Sequence, residues 1–106
     1  MITVTVSRKN NSYIELLSRG HAGYAEEGQD IICAAVSALI VNTVNSLESL
    51  TRDRFDLDEK DGYVHIRFPE GLTAGGKLLM DSLVLGLTEI EKSYSKRYLK
   101  VKVREV

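Results

Sequence analysis

Residues 20–39, GHAGYAEEGQDIICAAVSAL, place a glycine-rich acidic loop directly before a long apolar segment. Three glycines and two adjacent glutamates within residues 20–29 bury little surface, so this part predicts a loop. Asp30 is a favourable N-cap, because its carboxylate accepts hydrogen bonds from the free N–H groups that begin a helix. The following residues contain no Gly or Pro and predict a helix over residues 31–50.

The predicted helix has more apolar surface than one core face requires. Its core face follows the three-to-four spacing of a helix through Ile32, Ala35, Val36, Leu39, Ile40, Thr43, Leu47 and Leu50. Ile31, Ala38 and Val41 leave the first half apolar almost all round, so we expect it to be covered on two sides. A short chain has little with which to cover both sides, which favours a homodimer.

Upstream of the loop, the pattern predicts a β-hairpin. Residues 2–7 alternate apolar and polar side chains with the period of two that is typical of a half-buried strand. Residues 9–12 are typical turn residues, since Asn tolerates left-handed backbone angles. In the second strand, Ile14 and Leu16 are expected on one face and Tyr13 on the other.

Downstream of the helix, a second hairpin, a second helix and a last strand are predicted. Residues 54–58 and 63–68 flank an Asp61-Gly62 pair, which is a strong hairpin signal. The second helix is expected to begin within residues 73–76 and to continue to about Tyr94. Residues 98–106 alternate apolar and charged side chains, which suits an edge strand that must avoid aggregation.

The element order ββαββαβ predicts an α+β fold, with a two-layer arrangement of a mixed or antiparallel five-stranded sheet and two helices on one face. We expect a single domain over residues 1–106. In the second helix, Leu78 and Leu85 project away from the predicted inner face and give a second indication of a subunit contact.

Composition and charge exclude several classes of function. The chain has 106 residues, with 43% apolar and 27% charged residues, as in ordinary globular proteins. A net charge of -1 argues against direct binding of nucleic acid or an anionic membrane, although local basic patches stay possible. We predict no membrane span, since the apolar run over residues 31–41 is too short, and no signal peptide. One cysteine excludes an internal disulfide and a multi-cysteine metal site, so we expect a cytoplasmic protein without cofactor or metal.

Cys33 has two interpretations. With Asp30 as the cap, the thiol lies in the first helical turn, where the helix dipole and free N–H groups would lower its pKa and favour a thiolate nucleophile. The same N–H groups could hold the oxyanion of a tetrahedral intermediate. Alternatively, Cys33 is a small apolar core residue, which is common for cysteine.

His21 favours the first interpretation, because a histidine within hydrogen-bond reach could act as general base for the thiol. Asp30 could orient the imidazole, although helix capping explains this residue equally well. Ser37 lies one turn after Cys33, so its hydroxyl could support the site or bond back to the helix backbone.

Three other features of the sequence have ordinary structural interpretations. His65 is interpreted as a surface residue on the outward face of a strand. Gly75-Gly76 lacks the spacing and the Lys-Ser/Thr of a phosphate-binding loop and is interpreted as a turn. Adjacent side chains such as Glu26-Glu27 usually diverge into solvent.

Gly20-His21, the acidic glycine-rich loop and residues 30–37, DIICAAVS, resemble the ribosomal-processing cysteine protease family, Prp. The resemblance covers essentially the whole chain in length and element order. It implies a His21–Cys33 catalytic dyad, with Gly20, Asp30 and Ser37 as supporting positions of the same motif.

The resemblance also implies a homodimer with a mobile loop over the active site. Its implied activity is removal of the N-terminal extension of large-subunit ribosomal protein twenty-seven by cutting after an aromatic pair, which is needed for ribosome maturation. Tyr24 and Ile32 are candidates for the apolar pocket that such a substrate needs. Two alternatives stay open: a non-catalytic ribosome-associated binding or assembly factor, and a thiol enzyme of other chemistry such as a redox sensor.

Overall fold

The computed structural model describes residues 1–26 and 29–106. Its elements are β1 (Ile2–Lys9), β2 (Ser12–Arg19), α1 (Ile31–Leu50), β3 (Asp56–Lys60), β4 (Tyr63–Arg67), α2 (Ala74–Tyr94) and β5 (Leu99–Glu105). The strands form one sheet in the order β3-β4-β2-β1-β5, in which β1 and β5 are parallel and the other pairs antiparallel. The two helices pack together against one face of this sheet. The predicted α+β fold class is confirmed, and β5 is an edge strand as expected.

The first hairpin turns at two asparagines with left-handed backbone angles, Asn10 (φ 51°) and Asn11 (φ 63°). One detail of the predicted hairpin is wrong. The pairing of β1 with β2 shifts between Ser7 and Arg8, so that Ile14 is skipped in the register. The resulting bulge turns the side chain of Tyr13 to the core side, where it is fully buried.

The second hairpin forms as predicted around Asp61-Gly62, with Gly62 at φ +66°. Strand β3 begins two residues later than the sequence pattern indicated, and the residues before it make side-chain contacts instead of strand pairing. Thr51 Oγ1 accepts a 3.1 Å hydrogen bond from the N–H of Asp53, and the ring of Phe55 packs edge-on against Phe68 at 6.4 Å.

Helix α2 begins at a cap that the sequence pattern only partly revealed. Thr73 caps the helix by accepting from the N–H of Gly76, so Gly75-Gly76 belongs to the first helical turn and is not a separate turn. Asp53 accepts 2.8 Å hydrogen bonds from both the N–H and the hydroxyl of Thr73. A side chain at Gly76 would collide with the Asp53 carboxylate, which explains the glycine.

The core lies between the sheet and the two helices. Helix α1 contributes Ile32, Val36, Ile40, Thr43 and Leu47, and α2 contributes Gly76, Met80, Leu83 and Leu87. By length and composition alone, the 20 residues of α1 are enough to cross a membrane. The prediction from residues 31–41 therefore underestimated the length of the apolar segment. A helix that packs into the core of a folded domain passes the same test.

Candidate active site

A cleft of about 670 Å³ lies between α1, the β3–β4 hairpin and the loop that precedes α1. All of the site residues predicted from the sequence line it: Gly20, His21, Asp30, Cys33 and Ser37. The volume is within the usual range of ligand-binding clefts. The fold therefore brings the histidine loop and the first turn of α1 to one cavity.

The thiol of Cys33 is held where the loop meets the helix. Asp30 Oδ1 accepts 3.0 Å hydrogen bonds from the N–H groups of Ile32 and Cys33, as expected of the N-cap. The Sγ of Cys33 accepts a 3.2 Å hydrogen bond from the backbone N–H of Ala22. Cys33 is only half-buried, so it is not a core residue enclosed on all sides.

The pKa of Cys33 differs from the sequence prediction. Burial of the thiol raises its pKa, and the charge and hydrogen bonding of the Asp30 carboxylate raise it further. The hydrogen bond from Ala22 lowers the pKa but does not compensate. The prediction of a lowered thiol pKa is thus wrong, because the thiol is more buried than the helix start indicated and the cap also places a negative charge beside the sulfur.

Asp30 holds the loop to the helix. Its Oδ2 accepts a 3.1 Å hydrogen bond from the N–H of Tyr24, while its Oδ1 binds the first turn of α1. Burial opposes ionisation, but backbone N–H groups, that of Cys33 foremost, outweigh it and lower the pKa of Asp30. The alternative interpretation of Asp30, as an N-cap rather than an orienter of His21, is the one that the contacts support. The N–H groups of Ile32 and Cys33 are consequently occupied and are not free for an oxyanion.

His21 lies against the turn of the β3–β4 hairpin. Its Nε2 is 3.7 Å from Asp61 Oδ2, and a Cβ added to Gly62 would lie 2.8 Å from the same nitrogen. The N–H of Gly20 donates a 2.8 Å hydrogen bond to the carbonyl of Gly62, which fixes the start of the loop on this turn. Among residues 1–26 and 29–106, no hydrogen bond joins His21 to Cys33.

Asp61 and Gly62 are site residues that sequence reasoning missed. The Asp-Gly pair was interpreted only as a hairpin signal, because nothing local shows which loop will pack against that turn. The sequence signal that could have indicated them is that Gly20 and Gly62 are both glycines at positions that require glycine. Gly20 has φ +96°, and a side chain there would lie against the Met1 carbonyl. The N–H of Gly20 donates a hydrogen bond to the carbonyl of Gly62.

Beyond Cys33 and the exposed Ser37, the cleft continues as an apolar groove along α1. Its walls are Ile40, Val41 and Val44 of the helix and Leu57 and Val64 of the hairpin.

Ile32 is fully buried in the core. The ring of Tyr24 packs edge-on against Tyr94 and Tyr98, with ring centroids 5.8 and 5.2 Å apart. Neither residue lines the groove. Its apolar walls come from α1 and from the β3–β4 hairpin, whose proximity cannot be predicted from spacing in the sequence.

The remaining sequence candidates lie outside the cleft. His65 is not a free surface residue: its side chain is 18% exposed and its Nε2 lies 3.0 Å from Glu15 Oε1. Glu26 is exposed, whereas its neighbour Glu27 and the loop glycine Gly28 lie outside the described residues.

Residues 1–100 match the family model of cysteine protease Prp. The chain belongs to the Prp family of cysteine proteases. A relative from Bacillus subtilis, named ribosomal processing cysteine protease Prp, is 34% identical over 101 residues, which cover 89% of this chain and 90% of the relative. A relative of the same name from Staphylococcus aureus is 32% identical over 98 residues, covering 90% and 92%.

Solved structures of the Prp family show the same fold. The S. aureus processing protease Prp, in complex with a covalently linked product peptide, superposes with a TM-score of 0.93 at 29% identity. A second S. aureus structure, with a substrate peptide, gives a TM-score of 0.86 at 28% identity. In both comparisons 98% of this chain and 100% of the other are covered.

Proposed function

We propose that this chain is a cysteine endopeptidase in which Cys33 is the nucleophile and His21 the general acid and base. The observation that carries the proposal is that both side chains line one cleft, with the Ala22 N–H directed at the sulfur. Membership of a cysteine protease family supports it, since Cys33 is the only cysteine of the chain.

The raised pKa of Cys33 makes base assistance necessary, because the thiol is protonated at neutral pH. His21 takes the thiol proton as Sγ attacks the scissile carbonyl carbon. It then gives that proton to the leaving amine as the C–N bond breaks and a thioester remains. Water, deprotonated by His21, attacks the thioester and releases the acid, and the proton returns to the thiol.

The oxyanion of the tetrahedral intermediate needs a donor other than the occupied N–H groups of Ile32 and Cys33. The Ala22 N–H is aimed at the sulfur, next to the position where that oxygen would develop. We assign it as an oxyanion donor that exchanges its sulfur contact for the substrate oxygen. The loop that carries Ala22 would then act as a lid completed by substrate.

The proposed substrate is the N-terminal extension of large-subunit ribosomal protein twenty-seven, cut after an aromatic pair. The names of the B. subtilis and S. aureus relatives support a ribosomal protein as substrate. The apolar groove beyond Cys33, with walls from Val44 and Leu57, offers surface for aromatic side chains.

We further propose that the protein works as a cytoplasmic homodimer. Exposed apolar side chains on the helical layer support a second copy as the cover: Ile31 is 53% exposed, Leu78 68% and Leu85 63%. The single cysteine is consistent with a reducing compartment.

Incubation with a synthetic extension peptide tests the activity. Wild type should cleave it, whereas Cys33→Ala and His21→Gln should each lose at least about a hundredfold in kcat/KM. His65→Gln is the matched control, since its imidazole binds Glu15 outside the cleft, and should cleave normally.

The other interpretations predict different results in the same experiment. Tight binding of the intact peptide by wild type would indicate a binding or assembly factor. Rapid oxidation of Cys33 by peroxide without cleavage would indicate a redox sensor, although the raised pKa of Cys33 argues against one.

A further inference from the structure

The sheet face opposite the helices is uncovered and carries a row of cations. The strand register places Lys60 beside Tyr63, Tyr63 beside Arg19, Arg19 beside Thr3 and Thr3 beside Lys100, across all five strands. We name these residues the outer row. At about 4.8 Å between strands, the row is roughly 19 Å long and holds three positive charges and no carboxylate.

Among the described residues, the cations of the outer row have no acidic partner, whereas the acidic residues further along the same face lie beside Arg67 or His65. Arg67 Nη1 lies 3.2 Å from Asp58 Oδ2, and His65 lies 3.0 Å from Glu15. In the described part of the chain, no carboxylate lies within ion-pair distance of the row's three cations: Arg19, Lys60 and Lys100. Further along this face, Asp56 and Asp58 share Arg67 as their partner, and the outer row keeps its own positive charge within a chain of net charge -1.

An aromatic ring lies between the cations. Tyr63 is half-buried on the open face, with the Nζ of Lys60 5.1 Å from its ring centroid. An open sheet with an aromatic ring for base stacking and flanking cations for phosphates is an arrangement that recognises single-stranded RNA. We infer that the outer row binds the backbone of single-stranded RNA, with one base stacked on Tyr63.

The outer row lies next to the catalytic cleft, which relates RNA binding to the proposed function. Arg19 directly precedes Gly20 and His21, and Lys60 and Tyr63 flank the turn on which His21 lies. RNA on the outer row would therefore border the catalytic cleft. The choice of RNA over DNA rests on the proposed ribosomal substrate, and a precursor already bound to RNA would be held beside Cys33.

Fluorescence anisotropy with a labelled single-stranded RNA of about twelve nucleotides tests the inference, without any peptide. Wild type should bind in the micromolar range. Because three phosphates are neutralised, log Kd should rise with log salt with a slope of about 2. Arg19→Gln/Lys60→Gln/Lys100→Gln should weaken binding at least tenfold and flatten that slope, with circular dichroism confirming the fold. Tyr63→Leu should weaken binding about tenfold with the slope unchanged.

The matched control removes the same charge elsewhere. Lys9→Gln/Arg52→Gln/Lys77→Gln lies at the opposite end of the molecule and should bind RNA like wild type. Equal weakening in this control would overturn the inference, as would an absence of binding up to about 100 μM protein. Equal competition by polyglutamate would indicate an acidic protein instead, and tighter binding of DNA of the same sequence would exclude RNA as the partner. None of these results depends on peptide cleavage.

Discussion

The backbone N–H of Ala22 donates a 3.2 Å hydrogen bond to the Sγ of Cys33, which joins the histidine loop directly to the nucleophile candidate. This hydrogen bond lowers the pKa of Cys33 and so favours a thiolate, as does the positive charge of the N-terminus. Burial and the Asp30 carboxylate act against it, and the pKa of Cys33 is raised overall. Without substrate, the thiol of Cys33 is therefore neutral and requires a base to become a nucleophile.

Alkylation of Cys33 by iodoacetamide should accelerate with pH up to an apparent pKa above that of the same cysteine in the unfolded chain. Mass spectrometry at several pH values measures the rates, and protein unfolded in urea provides the reference. The raised pKa also means that this thiol stabilises the fold below the unfolded-state pKa. That contribution is lost as the pH rises through the folded-state pKa. A plateau of the alkylation rate already at neutral pH would contradict the structure.

Asp30→Asn should lower the pKa of Cys33, because the amide still caps α1 but carries no charge beside the sulfur. Alkylation at neutral pH should become faster. The free energy of unfolding should fall by about 1 kcal/mol at neutral pH. Since the pKa of Asp30 is lowered in the fold, its stabilisation is present above the unfolded-state pKa. The difference between the variants should shrink as the pH falls through the folded-state pKa.

Asp61→Asn is the control for this prediction. Asp61 also lines the cleft, yet it lies near His21 and is no cause of the raised pKa of Cys33. Loss of the Asp61 charge should leave the alkylation rate of Cys33 unchanged. A comparable acceleration would show that any negative charge in the cleft, and not the Asp30 cap in particular, raises the pKa of Cys33.

Most of the fold follows from local patterns in the sequence. Period-two alternation in β1 and the Asp30 cap of α1 act within a few residues, and both predictions match the structure. The bulge at Ile14 does not follow from alternation, because it depends on how β2 pairs with β1. Tyr13 was consequently assigned to the wrong face.

The site is only half predictable for the same reason. The motif identified His21 and Cys33, and the structure places both on one cleft. The pKa of Cys33 was predicted with the wrong sign, because spacing reveals a helix start but not the depth of burial. The contacts of His21 with the β3–β4 turn are distant in sequence, so no local pattern indicates them.

Leu85→Glu should disrupt the proposed homodimer. Leu85 is 63% exposed on α2, and a charge there would have to be desolvated on association. Sedimentation velocity should show a monomer at concentrations where wild type is dimeric. Leu50→Glu introduces the same charge at the end of α1, at a leucine that is 75% exposed, and should stay dimeric. A monomeric wild type would contradict the proposal itself.

Gly62→Ala should impair cleavage far more than it impairs folding. A methyl group at this position would lie 2.8 Å from His21 Nε2, so the imidazole must move. A displacement of about 1 Å at a catalytic group costs up to about a hundredfold in rate. The left-handed backbone angle of Gly62 adds about 1 kcal/mol of strain to any other residue. Peptide cleavage and urea unfolding measure the two effects separately.

Gly71→Ala separates displacement of His21 from backbone strain. Gly71 has a similar φ of +74°, but a Cβ there would meet nothing within 4 Å. We expect a comparable loss of stability and near-normal kcat/KM. Gly62→Ala should instead reduce kcat more than it raises KM, since the affected group transfers protons and does not grip the peptide. Equal activity in the two variants would show that the packing of His21 on the hairpin turn has no part in catalysis.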